Sequence, residues 1–323
     1  MGPTLKISFI MPDESMPRTV YYDLFAAAVR RNPRYVEDNA DADICLPAED
    51  IALERHWPRY GKAESAFVRG SFDLDRVNAY ADALVACGRR VCIVNMVPFL
   101  RWPQFVAQHG EVFVADISVA GFERLMNPRT ISMPALPIVA GPGTAGSKSV
   151  LASFRGIASH PCRERLKSIH DGTAIFCEFV EPANHIGRID AMAGNKDESY
   201  AALMAASIFA FVPRGDALFS YRLLEAMSFG CIPVILSDHW LPPFDRTIAW
   251  NEIALHVPEH GVADLPRLLR TFEAQRIAAI QQAVIETYRT CFANLDCIAE
   301  CFFRELEIIM ETRVPYLFRF QSA

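Results

Sequence analysis

The segment Phe211 to Trp250, FVPRGDALFSYRLLEAMSFGCIPVILSDHWLPPFDRTIAW, carries the residues whose types and spacing point most clearly to chemistry. Pro213-Arg214-Gly215-Asp216 stands where an apolar, strand-like run gives way to a helical pattern. Unpaired backbone N–H groups and the positive end of a helix favour an anion at such a junction. Arg214 adds charged donors in a fork suited to phosphate, and Ser220 is placed to cap the helix. Leu223, Leu224 and Met227 form the buried stripe of that helix, with Arg222 and Glu225 three apart on the face beside it. A carboxylate one to two turns in can reach ribose hydroxyls while the loop holds a diphosphate. An equally physical reading makes Arg222 and Glu225 a surface ion pair and Gly215 a plain turn, and spacing alone leaves both open. Gly230 reads as a left-handed helix stop, after which CIPVIL re-enters a sheet.

The elements that must position these residues alternate between β and α. LKISFIM, ADICLP (42–47), RRVCIVNMV (89–97) and EVFVAD (111–116) read as strands. A helix over TVYYDLFAAAVRR ends at Asn32-Pro33, and another spans Asp73 to Ala86. Residues 132–148 hold three Pro and three Gly without periodicity and read as a linker. A second series follows: SVLASF, a helix over 161–170, TAIFCEF, a helix over 197–206, SIFAFVP, a helix over 219–229, and CIPVIL. From Arg276 to about Arg313 the pattern is helical with little interruption. Apolar runs without alternation belong to strands covered on both faces, so the sheets are expected to be parallel. Open parallel sheets bind ligands at the carboxyl ends of their strands. The expectation is an α/β chain of two Rossmann-like domains facing a cleft.

Composition narrows the classes. With 323 residues, 51% hydrophobic and 22% charged, the chain has a globular composition and room for two domains. The formal charge of −6 gives no basic face for nucleic acid. No run is long and apolar enough for a membrane span, and the start lacks the pattern of a signal peptide. The nine cysteines include no CxxC pair. Cys45, Cys92, Cys177 and Cys231 lie in apolar runs, which fits reduced, buried thiols in a cytoplasmic protein.

The compound pattern resembles the donor-side signature of the exostosin family of glycosyltransferases. Its elements are Arg214-Gly215, Arg222, Glu225-Ala226, Gly230 to Ile235, Pro243-Phe244 and Trp250. HVPEHGVADLPRLLRTF (256–272) is similar to the family's continuation, and LASFRG (151–156) with Arg163 to its first donor-domain strand and loop. NADADICLPAED (39–50) is a weaker echo of an acceptor-domain strand. The resemblance implies a GT-B fold with an acceptor-side domain over 1–140, a nucleotide-sugar domain over 141–295, and a tail over 296–323 that crosses back to the first domain. It implies an inverting transfer from a nucleoside diphosphate sugar, with UDP the expected nucleotide, to a saccharide acceptor in cell-surface polysaccharide synthesis. No metal and no cofactor beyond the donor are expected, because arginines and helix ends would offset the leaving diphosphate.

By position, Glu225 would bind the ribose, and Arg155, Arg214 and Arg222 would face the diphosphate. Gly215, Ser220 and Tyr221 would line the same loop, and His239 would lie near the donor sugar. An inverting transfer also needs a general base at the edge of the first domain. Glu49 and Asp50 rank first, ahead of Asp13-Glu14 and Asp116. The expected partners are the sugar donor and a saccharide or lipid-linked saccharide acceptor, which allows peripheral association with a membrane. A nucleotide-sugar epimerase of the same fold, or a non-catalytic partner of a polysaccharide synthase, are the alternatives.

Overall fold

The computed structural model describes residues 5–10, 18–47, 68–69, 90, 92–95, 113–137, 139–143, 147–180 and 198–312. They fall into two compact units. The first comprises Met1–Met133, Leu241–Thr247 and Asn294–Ala323, the second Pro134–Trp240 and Ile248–Ala293.

In the first unit β1 (Ile7–Ile10) leads into α1 (Val20–Arg31), which Pro33 prevents from continuing. β1 pairs in parallel with β2 (Ile44–Pro47), Ile7 opposite Ile44. A parallel trio follows: β3 (Cys92–Asn95), β4 (Phe113–Asp116) and, after the short helix α2 (Gly121–Met126), β5 (Thr130–Ser132). Arg18–Thr19 and Val68–Arg69 form a two-residue antiparallel ribbon.

The second unit is built on five parallel strands. Along the chain it runs β6 (Val150–Gly156), α3 (Pro161–Arg165), β7 (Ile175–Phe179), α4 (Glu198–Ala206), β8 (Ser207–Pro213), α5 (Arg222–Ser228), β9 (Ile232–Leu236), β10 (Leu255–His256) and α6 (Ala274–Cys291). The sheet order is β10-β9-β8-β6-β7. Phe154, Phe209, Phe211, Val234 and Leu236 fill the core between sheet and helices. Gly230, at φ +65°, turns the chain from α5 into β9. The parallel α/β organisation expected from the apolar runs is the one observed.

Two elements differ from the sequence pattern. The helix expected over 219–229 begins only at Arg222, and Ser220 does not cap it: its Oγ carries no hydrogen bond. The nearly continuous helix expected from Arg276 is two helices, α6 and α7 (Leu295–Glu311). The side chain of Asn294 ends the continuity by accepting the Cys297 N–H at 3.0 Å, as an N-cap. The chain re-enters the first unit at that asparagine.

There α7 lies on α1. Phe25 and Phe302 meet edge to face at 5.5 Å, and Arg34 bonds Glu300 at 2.8 Å and Glu307 at 2.9 Å. The excursion Leu241–Thr247 is fastened to the same unit by polar contacts. Glu305, with no exposed surface, accepts the N–H groups of Arg246 (3.0 Å) and Thr247 (2.9 Å) and the Thr247 hydroxyl (2.9 Å). Arg246 bonds the Thr130 and Pro128 carbonyls, and Arg124 pairs with Asp245. Burial holds the Glu305 carboxyl above its ordinary range despite these donors, and it holds the Arg246 guanidinium below its own.

All the described cysteines but Cys297 are buried. No described helix is long and apolar enough to cross a membrane.

Candidate functional site

The strand order of the second unit creates its own crevice. The chain leaves β6 toward β7 on one side of the sheet, while β8 lies on the other. Connections that depart in opposite directions leave an opening beyond the carboxyl ends of the two central strands. β6 ends at Arg155-Gly156 and β8 at Pro213, so the Arg/Gly loop emerges at this opening.

Arg222, at the start of α5, reaches back to the end of β6. Its Nε donates to the Arg155 carbonyl at 2.7 Å, and Nη2 donates to the same oxygen. The guanidinium lies 5.0 Å from the centre of the Phe154 ring. Only a glycine leaves room for it, because a Cβ on Gly156 would stand 2.8 Å from the Arg222 Cζ.

Arg163, on α3, staples the two central strand ends together. Its Nε donates to the Arg214 carbonyl at 2.7 Å, Nη1 to the Ile157 carbonyl at 3.2 Å and Nη2 to the Pro213 carbonyl at 3.4 Å. Gly215 packs against it, with a would-be Cβ 3.1 Å from Nη2. The side chain is buried, at 7% exposure. Burial first, and then the charge of Arg222, push its pKa down to about 9, against a smaller opposing effect of Asp216. Among the described residues neither Arg163 nor Arg222 has a carboxylate oxygen within 4.0 Å. Among the described residues the hydrogen bonds of these two adjacent cations all go to neutral carbonyls, an arrangement that favours an incoming anion.

The remaining loop groups surround this pair in sequence. Arg214 turns toward its own loop, with Nε 3.3 Å from the Gly215 carbonyl, and lies 3.9 Å from Glu259. Glu259 also accepts the Asp238 N–H at 3.0 Å. His160 caps α3 by accepting the Cys162 N–H on Nδ1 at 3.2 Å. Burial and the charge of Arg214 lower its pKa, which keeps that nitrogen an acceptor. Ser220 is buried with its hydroxyl unpartnered. Tyr221 packs edge-on against Phe219 at 5.1 Å. His239 is exposed, in a left-handed turn at φ +67°.

Glu225 and Arg222 do not form the surface ion pair that their spacing also allowed. Glu225 is 4% exposed and accepts the Tyr200 hydroxyl at 2.7 Å and the Val139 N–H at 3.4 Å. Arg155 contributes chiefly through its carbonyl, since its side chain pairs with Glu178 at 3.3 Å and Ser199 at 2.5 Å. Glu49 and Asp50 lie outside the described residues, as do Asp13 and Glu14. Asp116 uses Oδ1 to accept the Ser118 N–H at 2.6 Å. No group of three or more His, Cys, Asp or Glu side chains converges as metal ligands would, among the described residues.

Residues 124–272 match the family model of the exostosin GT47 domain. The matched stretch is a little under half of the chain. It contains every arginine and glycine of the crevice, together with Glu225 and Tyr200. The chain is 36% identical to the "Exostosin-1 homolog" of Caenorhabditis elegans over 101 residues, which are 31% of this chain and 26% of that protein. It is 38% identical to Exostosin-1 of Drosophila melanogaster over 116 residues, 36% of this chain and 15% of that one. The matched segment therefore spans about a quarter or less of these relatives. Among solved structures, a glycosyltransferase from Rickettsia africae aligns over 96% of this chain and 99% of its own at 10% identity, with a TM-score of 0.47.

Sequence pattern alone does not single out Tyr200 or Gly156, and Arg163 stands out only through the resemblance. Gly156, directly after an arginine at a strand end, was the one local signal available. The partners of Arg163 and Tyr200 are distant in sequence.

Proposed function

We propose that this chain is a glycosyltransferase of the GT-B type. It moves a sugar from a nucleoside diphosphate sugar, UDP-linked in the first instance, onto a saccharide acceptor of a cell-surface polysaccharide. The observation that carries the reading is the pair Arg163 and Arg222, two cations with no carboxylate oxygen within 4.0 Å among the described residues, at the switch point of a parallel sheet. The unpartnered hydroxyl of buried Ser220 in the adjoining loop supports it.

In this reading the acceptor oxygen attacks the anomeric carbon with inversion. The bond from that carbon to the phosphate oxygen breaks, and the diphosphate leaves with the electron pair. Arg163, Arg214 and Arg222 stabilise the charge that develops on it. The acceptor's proton passes to a carboxylate, for which Glu49 and Asp50 are the proposed bases. Glu225 receives the ribose hydroxyls. The arginines supply the positive charge that other transferases draw from a divalent cation, so the transfer needs no metal.

The test is a thermal-shift panel of UDP, GDP, CDP and TDP at millimolar concentration, followed by transfer with the matching sugar donor in EDTA. A diphosphate at 100 times its Kd adds about 2.7 kcal/mol of stability. A clear shift with UDP and full turnover in EDTA are expected. Absence of any shift, or activity that only Mn²⁺ restores, contradicts the reading.

A further inference from the structure

The carboxylate of Glu225 is held in an unusual way for a buried anion. No Lys or Arg stands within 4.0 Å of it among the described residues. Its partners are two neutral donors, one on each oxygen: the phenol of Tyr200 on Oε2 at 2.7 Å, and the main-chain N–H of Val139 on Oε1 at 3.4 Å. The backbone around it is fixed, because Ser228 Oγ donates to the Glu225 carbonyl at 2.7 Å and Gly141 N–H to Ser228 Oγ at 2.8 Å. An ionised carboxylate offers about four acceptor sites, of which two are used. One vacant site on each oxygen matches two hydroxyls on adjacent carbons.

We propose that Tyr200 is a positioning residue for nucleotide recognition: its hydroxyl fixes the Glu225 carboxylate so that both oxygens can accept from the 2′- and 3′-hydroxyls of a ribose together. The inference rests on the reading of Glu225 as the ribose residue. Tyr200 comes from α4 and is itself buried, so the phenol has no freedom to follow a moving carboxylate. Burial and the nearby Glu225 charge push its pKa well above the usual value, which keeps it a donor at any working pH. Of the two hydrogen bonds that Glu225 receives, the one from Tyr200 is much the shorter, 2.7 Å against 3.4 Å. Tyr200 therefore acts on the ribose through Glu225 and touches no reacting atom.

The experiment measures the affinities of UDP and 2′,3′-dideoxy-UDP calorimetrically for the full chain, Tyr200→Phe, Glu225→Gln and the double variant. Tyr200→Phe is expected to weaken UDP about tenfold while leaving 2′,3′-dideoxy-UDP, which offers Glu225 neither hydroxyl, within about twofold. In the Glu225→Gln background, which has lost the preference for UDP, removing the phenol adds nothing. Equal weakening of both ligands by Tyr200→Phe, or no weakening of either, overturns the positioning role while Glu225→Gln still shows whether the ribose reading stands. If Glu225→Gln leaves the preference intact, the ribose reading fails and takes this role with it. Should Tyr200→Phe not fold, 3-fluorotyrosine at position 200 alters donor strength at constant shape. The ratio of the two affinities must then move, and an unmoved ratio overturns the role.

Discussion

The guanidinium of Arg222 is bound to the carbonyl of Arg155, sixty-seven residues earlier, through space that only the bare α-carbon of Gly156 leaves open. The end of β6 and the start of α5 are thereby one structure. Gly156→Ala puts a methyl group where the guanidinium now lies. We expect it to weaken UDP binding as much as Arg222→Ala does, and the double variant to be no weaker than either. Titration of the three variants checks this; additive losses would show that Gly156 and Arg222 act independently.

Ser220 provides a test in which stability and binding part company. Its buried hydroxyl has no partner, so replacement by alanine removes an unsatisfied group and leaves stability unchanged or higher by up to about 1 kcal/mol. Nucleotide affinity should fall several-fold in the same protein. Thermal melts with and without UDP read both quantities, and a destabilised Ser220→Ala with normal affinity would contradict the assignment.

The sign of one pH effect follows from His160. Its pKa is lowered in the folded protein, chiefly by burial and then by Arg214, so between that value and the unfolded value near 6.5 the unfolded chain binds more protons. Stability from this group is present above about pH 6.5 and is lost as the pH falls below it. Asparagine can also accept the Cys162 N–H at the cap but does not titrate. His160→Asn should therefore narrow the difference in Tm between pH 7.5 and 5.5, and an unchanged difference would show that the loss arises elsewhere.

Glu305 is the central acceptor for the excursion Leu241–Thr247. Its removal leaves the N–H groups of Arg246 and Thr247 unpaired and the Arg246 guanidinium without its carboxylate. Glu305→Ala is expected to destabilise the protein by about 3–5 kcal/mol, the scale for breaking a buried pair. Denaturant titration measures it; a loss below about 1 kcal/mol would mean that the carbonyl contacts of Arg246 hold the excursion alone.

Much of the second unit was legible because its chemistry is local. The strands SIFAFVP and CIPVIL, the Arg214-Gly215 loop and the stop at Gly230 each depend on near neighbours, and each is where its residues predict. What local pattern could not give was partnership. Whether Glu225 pairs with Arg222 or turns inward depends on Tyr200 and Val139, which reach it only after the sheet has assembled. The role of Arg163 depends on a strand order that puts β6 beside β8. The same holds for Ser220, a good capping residue whose helix starts too late to use it. In the tail, α6 and α7 share a helical pattern, and the break shows only in the capping asparagine between them. Glu305 looks like one more polar position on an amphipathic helix until the excursion folds onto it.

The most direct measurement compares UDP with uridine by calorimetry, for the full chain and for Arg222→Ala. The two ligands differ by the diphosphate alone, so their affinity ratio reads the contribution of the cation pair. We predict that UDP binds at least about a hundredfold more tightly than uridine and that Arg222→Ala removes most of this advantage. Equal affinities in the full chain, or a ratio that survives the loss of Arg222, would contradict a diphosphate site between β6 and β8.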